Sequence, residues 1–138
     1  MERRIAKLLS ANDTGETGGH QAGILIPKDK RVLSFFPALD PKLPNPRCHI
    51  QFLDDGGTFW EFAFIYYNNK FFGGTRNEYR LTCMTKFLRQ AGVVQGDDLI
   101  LAQEKGRYRV TYRRRKEGRG LKNGVLRLGT AWRVIAID

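Results

Sequence analysis

The stretch from Thr58 to Tyr67, TFWEFAFIYY, constrains the fold more than any other part of this chain. It is dense in aromatic and β-branched side chains, which favour a strand over a helix. The turn-forming residues Asp54 to Gly57 come directly before it. We therefore predict that Thr58 to Tyr67 is a central strand of a β-sheet.

Short apolar or alternating segments elsewhere predict further strands. These predicted strands are Ile5 to Leu9, Gly23 to Ile26, Cys48 to Leu53, Asp98 to Ala102, Tyr108 to Tyr112, Val125 to Leu128 and Trp132 to Ile137. Two short helices are predicted over Asp29 to Phe36 and Thr82 to Ala91, and the prolines between Pro37 and Pro46 predict a loop. Because strands and helices do not alternate, we expect a mostly antiparallel barrel of about seven strands.

Length and composition set the domain number and the cellular setting. With 138 residues, 41% of them hydrophobic, the chain suits a single globular domain spanning residues 1–138. No run approaches the ~20 apolar residues of a membrane span, and the N-terminus lacks an apolar signal segment. We therefore expect a cytoplasmic protein with no membrane partner. Cys48 and Cys83 lack metal-site spacing and predict two reduced, partly buried thiols.

The charge of the chain indicates a polyanionic partner. The net charge is +10 and the isoelectric point is near 10.0, which is typical of proteins that bind nucleic acid, anionic membranes or acidic proteins. The run Arg107 to Arg119 holds seven Lys or Arg and one Glu. Strand alternation places one set of its side chains on a common face, namely Arg107, Arg109, Thr111, Arg113 and Arg115. We expect this basic stripe and Lys70 to contact phosphates; a solvated face without a ligand is the alternative.

A polar, glycine-rich loop, SANDTGETGGHQAG, runs from Ser10 to Gly23, and we call it the N-arm. A phosphate-binding P-loop needs GxxxxGK[ST] between a strand and a helix. Here Gly18 and Gly19 are followed by His20 with no lysine, and the dinucleotide fingerprint GxGxxG is absent. The sequence therefore argues against a nucleotide cradle and leaves a catalytic loop or a flexible arm.

Nuclease catalysis has little support in the sequence. Metal-dependent nucleases commonly carry a D-x-K or E-x-K element on a strand, where carboxylates hold Mg²⁺. The single D-x-K, Asp40 to Lys42, lies among prolines, and His20 and His49 are 29 positions apart. In neither case does a neighbouring Ser or Cys in the sequence suggest a nucleophile activated by the histidine. We expect no catalytic residue, no metal site, no cofactor and no small-molecule substrate in this chain.

The stretch from Phe71 to Thr82, FFGGTRNEYRLT, concentrates side chains that read DNA bases, and we call it the C-arm. In the major groove, Arg pairs with guanine, Asn pairs with adenine, and Glu accepts from the cytosine amino group. A carboxylate repels phosphate, so Glu78 between Arg76 and Arg80 suits a DNA surface only if it has a specific task. The alternative is a hairpin whose charges pair with one another in solvent.

Two segments, LSANDTGETGGHQAGILIP (Leu9 to Pro27) and IYYNNKFFGGTRNEYRLT (Ile65 to Thr82), closely resemble the DNA-gripping segments of one protein family. That family is the N-terminal effector domain of the EcoRII-type restriction endonucleases. The motifs SANDTGxTGGHQ and GxTRNExR are long and unusual, which makes chance a poor explanation. The stretch GVVQGDDLIL (Gly92 to Leu101) also resembles the middle of the related plant B-type DNA-binding pseudobarrels.

The resemblance implies a mostly β, seven-stranded open pseudobarrel with two short helices and two projecting arms. The arms would grip the major groove of double-stranded DNA at the site CCWGG. The domain would not cut DNA and would be the N-terminal domain of a longer bacterial or archaeal restriction endonuclease. A separate, fused nuclease domain would bind Mg²⁺.

Carried over by position, the resemblance assigns DNA contacts to both arms. In the N-arm these residues are Ser10, Asn12, Asp13, Thr14 and His20. In the C-arm they are Gly74, Thr75, Arg76, Asn77, Glu78, Tyr79 and Arg80. The family has lysine at the positions of Gly74 and Tyr79 and tyrosine at that of Leu25, which implies weaker phosphate contacts and leaves the exact target open.

Other classes of function stay open on the sequence. A self-sufficient nuclease would cleave plasmid DNA in the presence of Mg²⁺. A single-strand or RNA binder would stack bases on the aromatic rings of TFWEFAFIYY. A transcription-factor domain of the same fold would share the binding mode.

Overall fold

The computed structural model describes residues 2–15, 23–115 and 131–137. In this part of the chain, the strands are β1 Arg3–Leu8, β2 Ile24–Ile26, β3 Arg47–Leu53, β4 Phe59–Tyr67, β5 Glu78–Thr82, β6 Asp98–Glu104, β7 Arg107–Arg113 and β8 Trp132–Ile137. The helical elements are α1 Ala11–Thr14, α2 Lys30–Leu33, α3 Thr85–Ala91 and a 3-10 helix, Asn69–Phe72.

The strands form one sheet in the order β2-β5-β4-β3-β7-β6-β1-β8. Neighbouring strands are antiparallel except β3 and β7, which pair in parallel through Phe52 and Leu53. Strand β4 lies inside the sheet between β3 and β5, as the aromatic stretch predicts. Because Phe62 and Phe64 of this strand are buried in the core, they cannot serve as a stacking platform for single-stranded nucleic acid.

The two outer strands of the sheet, β2 and β8, are joined by a side chain. The fully buried indole of Trp132 donates a hydrogen bond to the carbonyl oxygen of Leu25, with an N–O distance of 2.9 Å. The sheet is therefore nearly closed, and the predicted class, a mostly β pseudobarrel with short helices, is confirmed. The described residues form eight strands where about seven were expected, and Glu78–Thr82, interpreted from the sequence as arm alone, pairs with both β2 and β4.

The helices are shorter than the sequence patterns indicate. Helix α3 begins at Thr85 because Thr82 ends β5 and Cys83 takes a left-handed φ of 66°. Helix α2 begins after Asp29, whose side chain accepts from the backbone N–H of Arg31 at 2.9 Å. None of the helices in the described ranges is long and apolar enough to cross a membrane.

Three further segments show how the sequence predictions and the structure compare. Helix α1 lies within the N-arm and was not predicted. The predicted strand Val125 to Leu128 lies outside the described residues. Cys83 is exposed, which corrects the expectation of a partly buried thiol, whereas Cys48 is half-buried; both are free thiols.

Aromatic rings fill much of the barrel interior. Phe35, Phe52, Phe62 and Trp132 are fully buried, and Phe36 stacks on Phe64 with ring centroids 4.4 Å apart. This core supports β4 and β5 from inside, so the residues that follow β4 project from a rigid base.

Candidate nucleic-acid interface

The C-arm holds two arginines on one carboxylate. Strand alternation turns Leu81 of β5 into the core and puts Glu78 and Arg80 on the opposite face. The Arg80 Nε donates to Glu78 Oε2, and Arg76 Nη2 donates to the same oxygen at 3.3 Å. The two guanidinium groups and the carboxylate therefore form one cluster, which we call the Arg–Glu–Arg cluster.

The electrostatics of this cluster keep Glu78 charged. Burial opposes ionisation of Glu78, but its hydrogen bonds and attraction to Arg80 and Arg76 outweigh that effect and place its pKa below the ordinary value of 4.5. The side chains of Arg76 and Arg80 stay 40% and 21% exposed. Because a guanidinium has five N–H donors, the cluster still offers donors to a ligand beside an ionised acceptor.

Residues at the end of β4 and just after it hold Arg76 in place. Its guanidinium carbon lies 3.8 Å from the centroid of the Tyr67 ring, a cation–π contact that orients the group. The Asn69 side-chain oxygen accepts from the backbone N–H of Arg76 at 2.7 Å. The backbone N–H of Lys70 donates to the carbonyl oxygen of Arg76 at 2.9 Å. Arg76 is thus fixed at both backbone and side chain before any ligand binds.

Two asparagines that sequence reasoning missed position the C-arm. Asn68 is fully buried, and its amide donates to the carbonyl oxygens of Pro41 and Leu43 at 3.2 and 2.8 Å. Asn69 lies so close to Gly74 that a Cβ added there would be 2.7 Å from Asn69 Cγ. The signal available in the sequence was the Asn-Asn pair directly after a strong strand, which is typical of a side-chain-stabilised turn.

The remaining C-arm candidates have different surroundings. Thr75 is exposed, and Asn77 Oδ1 accepts from the Tyr66 hydroxyl at 2.7 Å. Tyr79 stacks on Tyr66 with centroids 4.2 Å apart, and burial, together with Tyr66, raises the pKa of Tyr79. Tyr79 therefore braces the strand from its core side, while Thr75 and Asn77 lie at the arm.

The N-arm starts with a capped helical turn. Ser10 is the N-cap of α1: its hydroxyl accepts from the Asp13 N–H at 3.1 Å, and Asp13 accepts from the Ser10 N–H at 2.9 Å. This is a capping box. Asp13 is buried and also binds Lys7, with Nζ 2.5 Å from Oδ2. Asp13 and the Ser10 hydroxyl therefore position the arm.

The other N-arm candidates are less enclosed. Asn12 is exposed, and the hydroxyl of the half-buried Thr14 donates to the carbonyl oxygen of Ala11 at 3.1 Å. His20 lies outside the described residues. Ser10 and Asn12 are thus the described N-arm candidates that are exposed.

The fold brings the two arms together. Arg80 Nη1 donates to the carbonyl oxygen of Gly23, the last N-arm residue, at 2.9 Å. An open depression of about 720 Å³ is lined by residues of both arms, including Ser10, Asn12 and Arg80, and by Arg115. A second depression of about 350 Å³ includes Asp13, Arg76 and the exposed Cys83. Both depressions are open, as a surface for a large ligand would be; the larger has a mainly apolar lining, and the smaller has polar and apolar lining in similar amounts.

The arginines of the basic stripe are exposed at alternate positions of β7, as predicted. Only part of the stripe lies near the arms. Arg107, Arg109 and Arg113 are exposed on β7, and Arg115 lines the larger depression. Arg109 donates instead to Glu2, and Arg107 faces Glu104 across the ladder. Arg109 and Arg115 are separated by about 20 Å of extended chain, so the structure places Arg115 beside the arms and Arg107 and Arg109 elsewhere.

Lys70 belongs to the arm region. It lies on the 3-10 helix that leads into the C-arm, and its ammonium is 6.0 Å from the Phe71 ring centroid. Of the phosphate-contact candidates, Lys70 and Arg115 are therefore the ones that the fold places next to the arms.

Groups that could hold a metal ion are absent among the described residues: no cluster of three or more His, Cys, Asp or Glu side chains occurs there. Asp40 of the D-x-K element accepts from the backbone N–H of Lys42 at 2.9 Å in the proline-rich loop. This carboxylate thus stabilises a turn.

Comparison with known proteins identifies the architecture and then the family. The solved structure of an Arabidopsis FUS3–DNA complex has a TM-score of 0.61 to this chain at 24% sequence identity, covering 80% of this chain and 96% of that one. The fold is accordingly a B3-like pseudobarrel. Residues 3–97 match the family described as "Restriction endonuclease EcoRII, N-terminal", and the chain belongs to this family.

A curated relative agrees with this assignment. The type II restriction enzyme EcoRII of Escherichia coli is 44% identical to this chain over 81 residues, which are 55% of this chain and 19% of that protein. The matched region thus spans about a fifth of the length of that relative.

Proposed function

We propose that this chain is a sequence-specific recognition domain for double-stranded DNA that reads bases in the major groove with its two arms. The Arg–Glu–Arg cluster carries the proposal. Guanidinium groups pair bidentately with guanine, and a carboxylate accepts from the cytosine amino group. Because phosphates would repel Glu78, a preformed cluster of this composition suits base edges better than the DNA backbone.

Phosphate contacts would fix the register of the domain on DNA without reading its sequence. Lys70 and Arg115 are suited to this role because both lie beside the arms. The net charge of +10 supports the same partner, since cationic proteins gain affinity for DNA by releasing its counterions. FUS3 was solved in complex with DNA, and this likeness in fold supports a related mode of docking.

The relative EcoRII suggests the kind of protein to which this domain belongs. EcoRII is a restriction enzyme about five times as long as the matched region, so we propose that this domain is the N-terminal part of a longer endonuclease. In that protein a separate nuclease domain would bind Mg²⁺ and cut, and this domain would bind DNA without cutting it. Incubating the purified chain with plasmid and Mg²⁺ tests this division, and cleavage would contradict it.

The recognition sequence is best found by selecting bound duplexes from a random library. We expect enrichment of CCWGG or a close relative of it. Recovery of sequences with no common motif would contradict specific recognition, and stronger binding to single strands than to duplexes would contradict the partner.

Substitutions in the Arg–Glu–Arg cluster test its role. We expect Arg76→Ala and Glu78→Ala each to cost about 1 to 3 kcal/mol of binding free energy on the selected duplex and much less on a scrambled one. Competition binding at fixed salt measures both. Arg31→Ala is the control for Arg76, because Arg31 is an exposed arginine bound to Asp29, and Glu61→Ala on an exposed site of β4 is the control for Glu78. The assignment fails if both cluster variants keep the preference of the native protein.

A further inference from the structure

The tip of the C-arm displays two neighbouring phenylalanines to solvent. Phe71 is 63% exposed and Phe72 is 48% exposed. Other exposed large apolar residues in the described ranges, such as Leu43, Phe59 and Val94, do not adjoin one another in the sequence. Two adjacent exposed rings on a projecting loop are a common mark of a contact surface.

This tip is held in a defined shape. The Phe71 N–H donates to the carbonyl oxygen of Asn68 at 3.0 Å, and the Gly74 N–H donates to that of Asn69 at 2.6 Å. Gly73 ends the 3-10 helix with a left-handed φ of 92°, which glycine tolerates. The hydrogen bond from Lys70 to Arg76 then ties the tip to the Arg–Glu–Arg cluster. The phenylalanines are thus presented in a fixed relation to the cluster.

The charges around the rings indicate what they meet. Lys70 precedes Phe71, Arg76 follows the tip, and no carboxylate lies between residues 69 and 77. The next carboxylate along the chain, Glu78, is already bound to two arginines. A cationic surface with apolar rings suits a partner that is anionic overall and carries apolar groups, and the major groove of DNA carries such a group in the C5-methyl of thymine.

We propose that Phe71 and Phe72 contact thymine methyl groups in the major groove and so add a preference for A·T pairs next to the G·C pairs read by the Arg–Glu–Arg cluster. This assignment rests on the proposed function, because it requires the C-arm to enter the groove of a duplex. It concerns residues outside the set that the arm motif indicated.

The experiment compares two duplexes that differ only in thymine methyl groups. One is the duplex selected by the native protein, with its flanks, and the other has deoxyuridine in place of every thymine. We expect the methyl-free duplex to bind the native protein about three- to tenfold more weakly. Phe71→Ala with Phe72→Ala should bind the thymine duplex more weakly by a similar factor and should no longer distinguish the two duplexes.

Phe59→Ala is the matched control. Phe59 is also 63% exposed but begins β4, at the opposite end of that strand from the C-arm, so it should retain native affinity and native discrimination. Melting temperatures of all variants should stay close to the native value because the altered rings are exposed.

Several results would overturn the assignment. Native affinity in the double variant would do so, as would a loss of affinity that is equal on both duplexes. A native dimer that becomes monomeric in the double variant would assign the rings to a protein contact. If the native chain binds no duplex at all, the proposed function itself fails, which is a result distinct from failure of the phenylalanine contact alone.

Discussion

At the residue scale, the carboxylates of the two arms have different roles. Asp13 is 8% exposed and is bound by Lys7 and by the Ser10 backbone. Glu78 is half-buried, and its Oε2 accepts from two partly exposed arginines. Their motifs look equally polar, yet the first carboxylate holds an arm to the barrel and the second is placed where a ligand can meet it.

The contribution of the buried ion pair between Lys7 and Asp13 to stability can be tested by substitution. Asp13→Asn keeps an acceptor for the Ser10 N–H but removes the charge opposite a buried ammonium. We expect a loss of about 3 kcal/mol or more in the free energy of unfolding, measured by urea denaturation.

Two comparisons make this prediction specific. Asp40→Asn alters an exposed carboxylate that also accepts a backbone N–H, so it should cost little. Adding Lys7→Met to Asp13→Asn should restore part of the lost stability, because the buried ammonium is then gone. A double variant less stable than Asp13→Asn alone would contradict the ion-pair interpretation.

At the element scale, the loop between β4 and β5 is a hydrogen-bonded support for the reading residues. Asn68 attaches it to the proline-rich loop, and Asn69 attaches it to Arg76. Gly74 makes this possible because its missing side chain leaves room for Asn69.

Gly74→Ala tests this support. The new Cβ would displace the Asn69 side chain and weaken its bond to the Arg76 N–H, so we expect duplex affinity to fall by about 1 kcal/mol. Binding titrations at fixed salt measure the change. Gly56→Ala is the control, because its Cβ would be 3.5 Å from the nearest atom, in the turn between β3 and β4. Combining Gly74→Ala with Asn69→Ala should add little to the loss, since both remove the same bond; full additivity would argue against the mechanism.

At the scale of the whole molecule, closure of the barrel links the two arms. Strand β2 follows the N-arm and pairs with β5 of the C-arm, and its far side is held by the Trp132 indole on the carbonyl oxygen of Leu25. The spacing of the arms therefore depends on a bond between residues 107 positions apart.

Trp132→Phe should loosen this closure. The substitution removes the donor and leaves the Leu25 carbonyl oxygen without this partner, so we expect a loss of about 1 to 3 kcal/mol in stability and weaker duplex binding. Trp60→Phe is the control, because the Trp60 indole binds Asp54 within the local turn at 2.8 Å. Thermal unfolding and titration of both variants give the comparison. Equal effects of the two substitutions on DNA affinity would rule out a special role for closure.

Features that depend on neighbouring residues could be predicted from the sequence. The aromatic and β-branched composition of TFWEFAFIYY predicted strand β4, and alternation in Arg107 to Arg115 predicted strand β7. The arm motifs indicated the family and the set Arg76, Glu78 and Arg80. The sequence did not reveal β5 as a strand or the shift of α3 to Thr85, because the pairing of β5 with β2 and the left-handed Cys83 depend on chain packing.

Which candidate residues lie together depends on the three-dimensional packing of the chain. This packing placed Arg115 beside the arms and paired Arg109 with Glu2, although both belong to one basic run. It also joined Asp13 to Lys7, Arg80 to Gly23 and Trp132 to Leu25. The alternation of polar and apolar residues indicates which face of its own strand a side chain lies on. Contacts between distant segments depend on the order and register in which the strands pair, and no local pattern encodes that order.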